Sequence, residues 1–276
     1  MSAGRRVPVL WALLAAALFG AATPASKALL DDVGPLILAG LLYLGAAVAV
    51  LPFSLRGGSP EGWRSPVNLR RIGGAVLFGG VLGPAALLYG LRLAPSASVS
   101  LWLNLETVAT AVLAWLLFRE NVGARVWVAN LGVVAAGLIL AAPGGFSAAP
   151  AAGLVALACV FWGLDNNLTA LIDGFTPEQS TAVKGVVAGV VNLGLGLALG
   201  QGMPSLGGIL AALAVGALGY GASIVLYIRS AQHLGATRSQ MLFATAPFFG
   251  VLLAWGALGE PIGGAQAIGA VVIAGS

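Results

Sequence analysis

Residues 34–55 read GPLILAGLLYLGAAVAVLPFSL, a run without one charged side chain. A helix that crosses the hydrocarbon core of a bilayer needs ~20 mostly apolar residues, and this run supplies them between Asp31-Asp32 and Arg56. Its apolar residues are continuous. They show neither the alternation of a half-buried strand nor the polar stripe of a surface helix. The same reading extends along the chain in both directions, with spans expected at about 8–30, 34–55, 72–91, 96–118, 123–142, 151–172, 178–200, 206–230, 236–258 and 263–276. The breaks between them carry Gly, Pro, Ser and charges, as in Pro143-Gly144-Gly145, Asp173-Gly174 and Met203-Pro204-Ser205. None is long enough to fold alone.

Composition agrees. Of 276 residues, 59% are hydrophobic and 8% charged, whereas soluble domains carry roughly 25% charged residues. The 41 glycines lie largely inside the apolar runs, where they let helix backbones approach closely. The fold class expected is an all-α integral membrane protein of ten helices. One cysteine, Cys159, and one histidine, His233, leave no clustered metal site, and no metal or cofactor is expected. A phosphate-cradling glycine loop followed by Lys-Ser/Thr is missing from the sequence, which argues against direct ATP drive. The net charge of +4 comes from arginines spread over helix ends, so nucleic acid is not an expected partner.

Those arginines set an orientation. With the N-terminus in the cytoplasm, Arg5, Arg6, Arg56, Arg64, Arg70, Arg71, Arg119, Arg125, Arg229 and Arg238 all fall on the cytoplasmic side, and Arg92 falls outside. Ten spans then return the C-terminus to the cytoplasm, as in a multi-pass protein of the cell (inner) membrane. The first span, Arg5-Arg6 followed by an apolar run and Ala-Ala-Thr-Pro-Ala-Ser, has the form of a cleavable signal. Its internal counterpart in the second half favours a true span. The last span holds about fourteen residues, short of the ~20 needed, so the natural chain is expected to continue past Ser276.

The chain also repeats itself. Leu113-Ala114-Trp115 and Glu120 recur as Leu253-Ala254-Trp255 and Glu260, a displacement of 140, and Gly123 matches Gly263. Phe19-Gly20 matches Trp162-Gly163, and Pro35 matches Pro177. Two five-helix units are expected, 1–145 and 146–276. Five crossings are odd, so the second unit lies inverted relative to the first, the architecture of alternating access with a site near the midplane.

The stretch from Ala94-Pro95-Ser96 through Leu105-Glu106, Leu113-Ala114-Trp115, Glu120, Gly132 and Gly137 resembles the repeated domain of EamA-type carriers of the drug/metabolite transporter superfamily. Ala236 through Glu260, Gly269 and Gly275 resembles the second copy. Two departures stand out. The family's Leu-Glu-Pro reads Leu105-Glu106-Thr107, and the second copy keeps a proline in Ala246-Pro247 while lacking the acid. The resemblance implies a central cavity ringed by helices, the fifth and tenth peripheral. It also implies secondary transport, often export, of small metabolites, amino acids and aromatic ones included.

Charges within spans are costly and point to function. Glu106 lies near the middle of span four and reads either as a contact for a substrate ammonium or proton, or as a structural hydrogen-bond acceptor. Asp165 and Asn166 lie in span six with Asn167, and three consecutive polar residues cannot all face lipid. Lys184, at similar depth in span seven, makes an Asp165–Lys184 ion pair the expected arrangement. Lys27 has Asp31 four residues on, a helical-pair spacing; snorkelling to the interface and a contact to a substrate carboxylate are its other readings. Trp102 and Trp162 each share a helical face with an acid and are candidate binding residues, with helix packing as the alternative. Phe19, Phe78, Tyr220, Phe243 and Thr23 are further candidates for the cavity wall. Pro24, Pro84 and Pro247 interrupt spans and are candidate hinges. Glu120 and Glu260 are expected to interact with the N-termini of spans five and ten, which they precede. Small-residue spacings at Gly79/Gly83, Gly185/Gly189 and Gly196/Gly200 are expected helix contacts. An intramembrane enzyme would need a nucleophile and base or a metal cluster at one depth, and a channel a continuous polar stripe. The scattered polar residues offer neither, and the expectation is a carrier for small amphipathic or zwitterionic solutes.

Overall fold

The computed structural model describes residues 3–57, 61–119, 121–142, 145–234 and 242–275, and contains no strand among them. Ten apolar helices follow one another there: α1 (Ala3–Leu29), α2 (Pro35–Ser54), α3 (Pro66–Leu93), α4 (Ser96–Leu117), α5 (Ala124–Ala141), α6 (Gly145–Ala170), α7 (Pro177–Ala198), α8 (Leu206–Ser230, with its last turn reaching Leu234), α9 (Ala246–Leu258) and α10 (Gly264–Gly275). The first eight are long and apolar enough to cross a membrane, and α9 and α10 are shorter. The start expected for span nine, with Arg238, lies outside the described residues, as does Glu120.

Helix starts follow local chemistry. Proline occupies the first turn of α2 and of α7, where a missing N–H costs nothing. Thr176 and Gln179 close a reciprocal capping box on α7. The repeat is visible in finer detail. Residues Val76–Leu82 of α3 and Gly216–Ala222 of α8, 140 apart, both widen into a π-helix. In α4 and α9 the helix instead tightens to three-residue hydrogen bonding: Asn104 N to Leu101 O and Thr107 N to Asn104 O in one, Thr245 N to Leu242 O and Phe248 N to Thr245 O in the other. The sequence patterning had suggested an unbroken span four, and the turn at Leu103-Asn104 divides it.

Packing is pairwise symmetric. α1 lies against α8 and α9, and α6 lies against the equivalent α3 and α4. α2 packs along α7, and α5 packs on α10. Exchanging the two halves maps these contacts onto one another. Each half holds five helices in the same order, and an odd number places the second inverted relative to the first. At the α2–α7 seam Gly185 and Gly189 admit the opposing backbone: an added Cβ at Gly185 would meet Tyr43 O at 2.8 Å, and one at Gly189 would meet Gly40 O at 3.1 Å. Gly200 is not a contact. It ends α7 with φ +77 and has open space around it, the left-handed stop that favours glycine.

The two ends of the bundle differ. At the end away from the arginines, helix starts in the first half are capped by side chains from the second. Glu260 accepts from Ser96 N, Ser96 Oγ and Ala97 N, each at 2.9 Å, and Gln201 Oε1 accepts from Leu36 N at 3.0 Å and Ile37 N at 3.3 Å. Glu260 thus serves the start of α4, not that of α10 which it precedes: the α4 N–H groups project toward it across the seam. Lys27 Nζ donates to Leu91 O at 2.7 Å and so closes the end of α3, with no ion pair to Asp31 among the described residues. At the arginine-rich end Asn68 Nδ2 donates to Asp173 O at 2.7 Å, and Trp63 meets Phe175 with ring centroids 5.0 Å apart.

Candidate functional site

Between the halves lies a cavity of about 210 Å³. Phe19 of α1, Tyr43 of α2, Glu106 of α4, Trp162, Asp165 and Asn166 of α6, Thr181 and Lys184 of α7, and Tyr220 and Ile224 of α8 line it. Both halves therefore contribute. Toward the arginine-rich end it adjoins a crevice of about 490 Å³ that shares Glu106 and Asn166 and reaches Asn121 and Gly123. Toward the other end the space shrinks to about 20 Å³ among Phe19, Gly20, Thr23, Ser100, Leu103, Ala246 and Pro247.

The polar triplet of α6 is divided among three neighbours. Asp165 meets Lys184, whose Nζ lies 2.6 Å from Oδ1 and 2.5 Å from Oδ2, and Thr169 Oγ1 donates to Oδ1 at 2.9 Å. Asn166 Nδ2 donates to Glu106 Oε1 at 2.8 Å and to Thr110 Oγ1 at 3.2 Å. Asn167 Nδ2 reaches Thr110 O at 3.1 Å and Gly163 O at 2.8 Å, tying α6 to the α4 backbone. Gly79 makes room for Asp165: a Cβ there would fall 1.9 Å from its Oδ2.

The π-turn of α3 explains how two aromatic residues are held. Widening the helix frees carbonyl groups from the usual ladder, and a buried carbonyl needs a donor. Gly79 O receives Trp162 Nε1 at 3.0 Å and the Tyr43 hydroxyl, and Gly80 O receives Asn192 Nδ2 at 2.8 Å. In the equivalent turn of α8 the Ser223 hydroxyl, from the same helix, donates to Gly219 O. Tyr220 then faces Phe19 and Tyr43, with ring centroids at 5.8 and 6.1 Å.

Of the residues singled out in the sequence, the structure brings together Phe19, Glu106, Trp162, Asp165, Asn166, Tyr220 and Lys184. Trp102 lies elsewhere. It is 2% exposed, and its Nε1 donates to Gly137 O of α5 at 3.2 Å. The tightened turn at 103–104 rotates it off the face that carries Glu106. Phe78 stacks on Phe161 at 6.0 Å. Phe243 stands behind Phe19 at 5.3 Å, and Thr23 faces the narrow void. Pro84 and Pro247 open helical segments just past the π-turn and the tightened turn, while Pro24 sits inside a continuous α1. Cys159 is buried, with Sγ 3.8 Å from Trp102 O. Tyr43 and Thr181 were not singled out. For Tyr43 a signal existed: it is a lone hydroxyl mid-way through an apolar span, and such a hydroxyl needs a partner.

An all-helical bundle of inverted repeats, spanning a bilayer and enclosing a polar cavity lined by both halves, defines a polytopic membrane protein of the carrier type. A family model described as the EamA-like transporter family matches residues 6–142 and again 149–276; the chain belongs to that family. It is also similar to an uncharacterised transporter of Methanothermobacter thermautotrophicus, 27% identical over 204 residues, which cover 70% of this chain and 59% of that one. A solved crystal structure shares the fold, with a TM-score of 0.68 at 23% identity, covering 98% of this chain and 94% of the other.

Proposed function

We propose that the protein is a secondary transporter that exports small amphipathic or zwitterionic metabolites, amino acids foremost, across the cytoplasmic membrane by alternating access. One observation carries this reading: the cavity between the halves adjoins a crevice of about 490 Å³ toward the arginine-rich end but only a void of about 20 Å³ toward the other. With arginines facing the cytoplasm, that is the state in which an exporter loads. Both termini are then cytoplasmic, and the units 1–145 and 146–276 are the two bodies that move. A volume of about 210 Å³ lies below the 300–1,000 Å³ typical of drug-sized ligands, which favours a small metabolite over a bulky drug. The apolar rings of Phe19, Trp162 and Tyr220 would face the hydrophobic part of the cargo, and Glu106 and Asn166 its polar head.

Counterflow into proteoliposomes, screened over amino acids, nucleosides and cationic drugs, tests the reading. Saturable exchange of an amino acid or of a small amphipathic amine, lost on Trp162→Ala, is expected. Exchange of drugs or nucleosides alone would move the cargo to another class, and electrical conductance with no saturable exchange would replace the carrier by a channel.

A further inference from the structure

The charges around the cavity do not balance. Its lining holds two carboxylates, Glu106 and Asp165, and one ammonium, Lys184. Lys184 is already committed, bonded to both oxygens of Asp165. Asp165 is 7% exposed. Drawing Lys184 away to meet a cargo carboxylate would leave a buried carboxylate unpaired, an expensive arrangement. Glu106 has a different setting. Its carboxylate accepts from the neutral Asn166 amide, and among the described residues no cation lies within salt-bridge distance of it. The adjoining crevice brings no further charged side chain to it among its described lining. A lone carboxylate in a span is stabilised by pairing with a cation, and the same cavity is lined by the aromatic rings of Phe19, Tyr43 and Tyr220, a ring type that attracts cations.

We infer that the cargo binds as a net monocation, its protonated amine paired with Glu106, and that the cavity offers no counter-charge to a cargo carboxylate. This rests on the cavity being the cargo site, and it amends the reading above on one point: free amino acids, as zwitterions, rank below organic amines with a compact apolar or aromatic body. Amino-acid derivatives qualify when their carboxyl is masked as an amide or ester. The Asp165–Lys184 pair stays closed during binding and holds α6 against α7.

Three probes that share one ring test it: 2-phenylethylamine, phenylalanine and 3-phenylpropionate, a cation, a zwitterion and an anion. Their binding to the purified full chain is read from tryptophan fluorescence, since Trp162 lines the cavity, and from the shift in unfolding temperature. The amine is expected to bind at least tenfold more tightly than phenylalanine, with no detectable binding of the propionate. Glu106→Gln should erase the preference, and Glu106→Asp should restore part of it. The ranking in the unmodified protein stands as a test even if the variants fold poorly. Phenylalanine binding as tightly as the amine, binding of the propionate, no binding of the amine, or an amine preference that survives in Glu106→Gln would each overturn the inference. Phenylalanine winning, together with saturable counterflow, would sink this charge assignment and leave the carrier reading standing.

Discussion

Asp165, Asn166 and Asn167 show how a polar triplet survives inside a membrane helix: each finds a different neighbour, on α7, at the Glu106 carboxylate and on the α4 backbone. The ion pair has a thermodynamic signature. Asp165→Asn or Lys184→Met alone strands one buried charge and should destabilise the protein by about 3–5 kcal/mol, whereas the double variant should recover most of that loss; thermal unfolding in detergent reads the difference. Gly79→Ala should be as damaging as either single variant, because its methyl would displace Asp165. Much of this was legible beforehand. A charged residue in an apolar run announces itself, and so do Trp162 and Tyr220 by depth. Trp102 was not resolved by the same logic. Its placement depends on three-residue hydrogen bonding at Leu103 and Asn104, and nothing in the residue types there departs from ordinary helix. Tyr43 was passed over because its partner is a carbonyl freed by a π-turn, and periodicity carries no mark of such a turn.

Helices α3 and α8 carry their π-turns 140 residues apart, and α4 and α9 their tightened turns at nearly the same displacement. Two copies of a local distortion at equivalent places mean that it belongs to the repeat and not to one site. The chain reversals after α4 and α9 agree: Arg119 has φ 53 and Gly259 φ 64. A non-glycine residue pays a steric penalty in this region, roughly 1–2 kcal/mol. Arg119→Gly should therefore raise the unfolding temperature, by an amount that matches about 1 kcal/mol. Glu260 joins elements across the halves. Glu260→Ala removes the acceptor of two backbone N–H groups and the Ser96 hydroxyl, and should cost about 1–2 kcal/mol. Glu260→Gln, which keeps an amide oxygen, should cost less. The sequence assigned this acid to the start of α10, which it precedes; the cap is made across the seam to α4 instead, a contact that order along the chain does not mark.

For the molecule as a whole, repeat and inversion followed from counting crossings, and the pairwise packing of α1 with α8 and α9 against α6 with α3 and α4 follows from that symmetry. What symmetry cannot supply is the difference between the two ends. It comes from residues the halves do not share: Glu106 against Ala246, Tyr43 against Gly185, Trp162 against Phe19. Glu106, Tyr43 and Trp162 line the cavity together with Gly185 and Phe19, whereas Ala246 borders only the narrow void. Sided cysteine labelling reads that asymmetry. With Cys159 replaced by serine, a single cysteine is placed at Thr181, on the cavity wall, or at Thr23, in the narrow void, and membrane vesicles of either orientation are exposed to an impermeant maleimide. The cysteine at 181 should react faster from the cytoplasmic face than from the outer face, and that at 23 should be shielded from the cytoplasmic face. Faster reaction at 181 from the outer face than from the cytoplasmic face, or no reaction at 181 from either face, would contradict a carrier that rests with this cavity open to the cytoplasm.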